Sequence, residues 1–199
     1  ILGASVIPKE AWALGDGFKV GALQLVMYPL IVRAAGVFAS IIGVLCVKGE
    51  DRDDLDAMQP INKGFNISAL IATVLFGIGS FLYFKDGVKV PSTSGAVQYE
   101  WWRFFLCTFL GIVLAVVIGR MTEYFTSVDK KPVTEIAVSS QAGPAPMIIS
   151  GFALGLESSV WSAIAIAITL MFGLFIFPDN ALLAAYGIAL AGLGLLTTT

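Results

Sequence analysis

Histidine is missing altogether from these 199 residues, and only 13% of them carry a charge. Without an imidazole, the chain lacks the side chain that most often relays protons or binds metal near neutral pH. A soluble domain carries about 25% charged residues, so the shortage of charge argues against an ordinary soluble fold. The net charge of -2 leaves no basic patch for nucleic acid. Cysteine is nearly absent too. Cys46 and Cys107 lie far apart inside apolar runs, which argues against a disulfide framework or a zinc site and reads as two small buried residues. No Gly-rich phosphate loop, paired metal ligands or nucleophile beside a base can be found.

What the chain has in quantity is apolar length. It is 57% hydrophobic, with a mean hydropathy of +0.87. Runs of about 20 apolar residues recur, each long enough for a hydrocarbon core of about 30 Å. The ten-residue alternation of a membrane barrel is missing. The fold class is therefore an all-α, multi-pass integral membrane protein. Five spans are expected, over residues 20–47, 65–84, 103–119, 147–177 and 181–199. The chain opens at Ile1 and stops at Thr199 in or just after an apolar run, so residues 1–199 read as one transmembrane segment of a longer protein. Repeats and low-complexity tracts are not evident.

Residues 1–19 are mixed, and read as an extramembrane loop with a short amphipathic piece around Trp12. In the first span Pro29 can kink the helix, and Tyr28 reads as an interface marker. Arg33 is the anomaly there. A central Arg costs roughly 2.5–3.5 kcal/mol on the translocon scale, so it must snorkel, find an acid or face water; a place in an ion path is the sharper alternative. The loop 48–64 holds Asp51, Asp53, Asp54 and Asp56. A calcium loop wants Gly sixth and Glu twelfth; Asp56 and Asn62 stand there, so the loop reads as solvated. Gly77 and Gly79 give the second span a small-residue face for close packing. Residues 85–100 read as a polar loop, and Tyr99, Trp101 and Trp102 as an aromatic belt.

The stretch Gly119–Gly155 concentrates charge, hydroxyls, Pro and Gly between two apolar segments. Arg120 and Glu123 stand three apart and can pair on one helix face. A polar turn is expected around Asp129-Lys130-Lys131-Pro132, and re-entry into lipid through residues 142–146. Met147–Leu156 reads as a helical portion at or beyond the interface, with Glu157 near the boundary. Phe177-Pro178-Asp179-Asn180 reads as a tight turn. Gly187, Gly192 and Gly194 suit a fifth span packed on several sides. The candidate coupling or structural charges are thus Arg33, Arg120, Glu123 and Glu157. Six cations against five place the 120–146 loop on the cytoplasmic side by a narrow margin.

The same stretch resembles a known family. Thr122-Glu123-Tyr124-Phe125-Thr126, Lys131-Pro132-Val133, Ile136-Ala137, Ser140-Gln141-Ala142-Gly143 and Ile148-Ile149-Ser150-Gly151 with Gly155 are similar to the membrane-bound pyrophosphatases, ion pumps driven by inorganic pyrophosphate. Tyr28-Pro29-Leu30 with Gly36 matches them in span one. Ala185-Tyr186-Gly187-Ile188-Ala189 with Leu195 and Thr197 matches in span five. The likeness covers essentially the whole chain in order.

The resemblance implies a bundle of sixteen membrane helices working as a homodimer, of which this chain supplies the seventh through most of the eleventh. It implies a Mg²⁺-dependent hydrolase that moves protons or sodium ions. K⁺ is a further cofactor in potassium-dependent members. Pyrophosphate and Mg²⁺ are held in the family by Asp and Lys motifs that do not occur in residues 1–199, so no catalytic, substrate-binding or metal-binding residue is carried over. The expected location is a prokaryotic plasma membrane, or a vacuolar-type membrane in a eukaryote. Ala142, Pro146, Met147 and Ser162 depart from the family pattern, and Arg33 stands at a site normally small or polar. Spans one to four offer little to grip a polyanion and suit an outer ring, and span five an inner one. A secondary transporter is the alternative, with its substrate site at Arg33 and the broken entry to span four.

Overall fold

The computed structural model describes residues 16–46, 58–85, 87–92, 95–178 and 180–197. Among them run the helices α1 (Asp16–Leu45), α2 (Met58–Tyr83), α3 (Trp101–Thr126), α4 (Lys131–Ser139), α5 (Pro144–Ile176) and α6 (Ala181–Thr197). An antiparallel hairpin, β1 (Val88–Ser92) with β2 (Gly95–Tyr99), joins α2 to α3 and pairs Val88 with Tyr99. Among the described residues, α1, α2, α3 and α5 are long and apolar enough to cross a membrane. The apolar α6 has 17 residues, about 26 Å of helix, which is near the lower limit for a crossing.

Each expected span coincides with a helix, but the boundaries do not. α2 begins at Met58 rather than residue 65, and α3 runs to Thr126 rather than 119. Hydropathy marks the part of a helix that suits lipid, whereas its hydrogen bonds continue into polar sequence until a turn stops them. The expected loop at 85–100 contains the hairpin; the expected polar turn is present at Val128–Lys130, where the Lys130 N–H donates to Ser127 O at 3.2 Å, and its last two residues, Lys131 and Pro132, open α4. Pro is well placed there, because its missing N–H falls among donors a first turn leaves unused anyway. The amphipathic piece around Trp12 and the Asp51–Asp56 cluster lie outside the described residues.

Two compact units divide the chain: Ile1–Ala115 with Thr169–Thr199, and Val116–Ile168. In the first unit, contacts give the direction of each helix. Gly43 lies against Ser68 while Tyr28 bonds Ser80, so α1 and α2 are antiparallel. Cys107 meets Gly187 and Gly111 meets Ala191, so α3 and α6 run in the same sense. Tyr186 reaches Leu25 and Arg33 reaches Leu196, which makes α1 parallel to α6 as well. Helices that alternate direction along the chain are what repeated crossings require.

The core of this unit is an aromatic cluster with close glycine contacts beside it. Phe84 and Phe104 stack at 4.4 Å between ring centres, with Tyr28 4.7 Å from Phe84 and Phe177 5.5 Å from Phe104. Tyr28, fully buried, donates or accepts a 2.6 Å bond with the buried Ser80. Tyr99 is buried against Phe177. The expectation that Tyr28 and Tyr99 mark the interface is therefore corrected: both rings fill the core, where the Tyr28 hydroxyl finds its partner in Ser80 rather than in water. Trp102 does stay exposed, and Trp101 meets Phe81 edge-on at 5.4 Å.

α6 is packed on several sides. A Cβ on Gly187 would meet Phe177 and Cys107, one on Gly194 would meet the Thr108 carbonyl, and Gly173 of α5 faces Ile188. Gly192, by contrast, has nothing within 4 Å, and neither has Gly79 of the expected α2 face. The start of α6 is capped by Asn180, whose Oδ1 accepts from the N–H groups of Leu182 (3.0 Å) and Leu183 (3.2 Å).

Candidate functional site

The second unit contains the stretch that the sequence singles out. The last turns of α3 lead through residues 127–130 into α4, and a 3-10 turn at Ser140–Ala142 leads to α5. Gly143 links that turn to α5 with φ 114° and ψ 176°, a conformation open in practice only to glycine. Polar groups here are satisfied locally. Thr126 Oγ1 donates to Thr122 O at 2.7 Å, Ser139 Oγ to Ile136 O at 2.7 Å and Ser140 Oγ to Ala137 O at 2.6 Å.

Arg120 Nη1 lies 3.6 Å from Glu123 Oε2 across one helical turn. With the Arg120 side chain 52% exposed, such a pair is worth only about 0.2–0.5 kcal/mol. Arg120, Met121, Tyr124 and Phe125 of α3 and Glu157 and Trp161 of α5 line a cavity of about 440 Å³. Three of the four sequence-flagged charges thus come together: Arg120 and Glu157 in the cavity wall, and Glu123 paired to Arg120. Glu157 is exposed on α5.

Arg33 belongs to the first unit and has a different partner. Its Nη1 donates to the Leu196 carbonyl at 2.5 Å. The carbonyl end of α6 carries partial negative charge, so a backbone dipole takes the place of the acid the sequence leads one to look for. Arg103, which the sequence reading passed over, acts similarly. It donates to Ile176 O at 3.0 Å and lies over the rings of Tyr99 (5.4 Å) and Trp102 (5.5 Å). Its position beside two aromatic residues at a helix start was the available signal.

Among the described residues no group of three or more His, Cys, Asp or Glu side chains converges on a metal position. The cavity offers one carboxylate beside a guanidinium, which does not fit Mg²⁺ with its preference for several oxygen ligands. A second cavity of about 310 Å³, lined by Phe84, Lys85, Gly87, Gln98, Tyr99, Glu100 and Trp101, adds one cation and one acid. Neither of these two cavities lines up a nucleophile with a base.

The family described as inorganic H+ pyrophosphatase matches residues 3–199. A K(+)-insensitive pyrophosphate-energized proton pump of Chloroflexus aurantiacus is 37% identical over 204 residues, covering 100% of this chain and 25% of that protein. One of the same name from Streptomyces coelicolor is 37% identical over 86% of this chain and 22% of its own length. K(+)-insensitive pyrophosphate-energized proton pump 2 of Moorella thermoacetica is 34% identical over 87% of this chain and 24% of its own. The chain thus spans about a quarter of the length of the curated relatives it matches.

Proposed function

This chain belongs to the inorganic H+ pyrophosphatase family, and from that premise we propose that it is the structural wall of a pump that couples Mg²⁺-dependent hydrolysis of inorganic pyrophosphate to ion transport. The observation that carries the reading is the family match over residues 3–199. The pumped ion is the proton or the sodium ion, since matched relatives are named as pumps for one or the other. Substrate and Mg²⁺ are gripped by the rest of the parent chain, in a sixteen-helix bundle that works as a homodimer in a prokaryotic plasma membrane. What supports a wall rather than a site is the chemistry of the side chains: a polyanion with Mg²⁺ needs clustered acids and cations around it. The apolar faces of α5, with Ile148, Ile149, Phe152 and Phe175 exposed, suit lipid or further helices of the parent. The transporter alternative is dropped, because the matched relatives are named as pumps.

The test is made on the full-length parent in sealed vesicles. Pyrophosphate hydrolysis should require Mg²⁺ and should drive protons or Na⁺ into the lumen, read by a pH dye and by ²²Na⁺ uptake. Glu123→Gln and Glu157→Gln should keep hydrolysis within about threefold of the parent. A parent without pyrophosphate hydrolysis defeats the family function, and a hundredfold loss in either variant with folding intact defeats the structural role.

A further inference from the structure

Pro29 sits inside α1 and has no backbone N–H, so the carbonyl four residues earlier, that of Leu25, is left without its helical donor. Leu25 is fully buried, where water cannot make up the bond. The missing donor comes from α6, as the Tyr186 hydroxyl donates to Leu25 O at 2.7 Å. The two sequence segments Tyr28-Pro29-Leu30 and Ala185-Tyr186-Gly187 therefore meet at one hydrogen bond. Their surroundings hold it firmly. Tyr28 is tied to Ser80 of α2, Tyr186 packs edge-on to Phe104 at 6.3 Å, and a Cβ on the adjoining Gly187 would press on Phe177 and Cys107.

We propose that Tyr186 is a latch on a hinge built into α1. While its hydroxyl stands in for the proline's missing amide, the two halves of α1 on either side of the gap move as one body with α6. When α6 shifts or turns enough to withdraw the hydroxyl, α1 is free to bend at residues 25–29, because a proline position is where a helix bends most readily. The latch lets movement of one helix be passed to another through a single bond with two discrete states. Its part in transport rests on the pump reading above; the hinge itself does not.

Restoring the amide tests this directly, since Pro29→Ala gives Leu25 O its own helical donor and makes Tyr186 dispensable. In the full-length parent, spin labels are placed at Leu23→Cys and Val44→Cys, both exposed positions on α1, with the exposed Cys46 and any other reactive thiol replaced. The distance between labels is then measured in four backgrounds: unaltered, Tyr186→Phe, Pro29→Ala, and both together. Tyr186→Phe should broaden the distance distribution at least twofold, and the double variant should be as narrow as Pro29→Ala alone. An unchanged width in Tyr186→Phe overturns the latch, and so does a double variant as broad as Tyr186→Phe. If Tyr186→Phe fails to fold, recovery of folded yield by Pro29→Ala supports the proposal and lack of recovery overturns it. Transport per pyrophosphate should fall at least threefold in Tyr186→Phe and return in the double variant. A parent that hydrolyses no pyrophosphate sinks the pump reading and leaves the distance result to decide the hinge.

Discussion

Among the described glycines, Gly111 leaves the least room for a Cβ, and replacing it is the sharpest test of the packing. A Cβ at that position would lie 2.0 Å from the Ala191 carbonyl oxygen, 2.8 Å from its carbon and 3.0 Å from its Cα. Relaxed carbon contacts sit at about 3.5–4.0 Å, so the added methyl overlaps by more than about 1 Å. The obstacle is backbone and cannot swing aside. α3 and α6 must move apart, and the neighbouring contacts of Gly194 with Thr108 O and of Gly187 with Cys107 open with them. Overpacking a well-filled site costs typically about 1–3 kcal/mol, and a backbone clash belongs at the upper end, near 3 kcal/mol. Gly119→Ala is the control of opposite sign. It lies in the same helix with nothing within 4 Å, so only helix propensity acts and the change should stabilise by about 0.5–1 kcal/mol. Thermal unfolding of the parent in detergent, followed by tryptophan fluorescence, should give a lower midpoint for Gly111→Ala and an equal or higher one for Gly119→Ala. If Gly111→Ala unfolds at the parental midpoint, the close approach of α3 and α6 is wrong.

Other substitutions probe separate links. Tyr28→Phe strands the buried Ser80 hydroxyl and should cost about 1–3 kcal/mol, most of it recovered in the double variant with Ser80→Ala; two additive losses in the thermal midpoint would mean the pair is not bonded. Arg103→Gln removes a donor from the end of α5 and two ring contacts, for an expected loss of about 1–2 kcal/mol by the same unfolding measurement. Glu123→Gln breaks the pair with the half-exposed Arg120 and should shift stability by no more than about 0.5 kcal/mol, a shift that shrinks as salt screens the pair from low to high ionic strength. Gly143→Ala forces a side chain into φ 114° and should cost about 1–3 kcal/mol, seen as faster protease cleavage between α4 and α5.

The class of the protein, its five apolar helices and the singular character of Gly119–Gly155 were legible along the chain, because insertion into lipid depends mainly on each helix's own residues. The Arg120–Glu123 spacing was legible for the same reason, as three residues on one helix settle who can touch. Neither α4 nor the hairpin stood out, since short elements among polar residues owe their form to Pro placement, a glycine at positive φ and strand pairing rather than to hydropathy. Which glycines matter could not be read from composition: Gly111 and Gly43 sit at contacts, whereas Gly79 and Gly192 look identical in sequence and touch nothing. Arg33 and Pro29 show the limit most plainly. Each announces a need, one for a counter-charge and the other for a replacement donor, but the groups that answer lie far along the chain: the Leu196 carbonyl is 163 residues from Arg33, and the Tyr186 hydroxyl is 161 residues from the Leu25 carbonyl it serves. Only the folded arrangement of α1 beside α6 decides that those needs are met, and by which atoms.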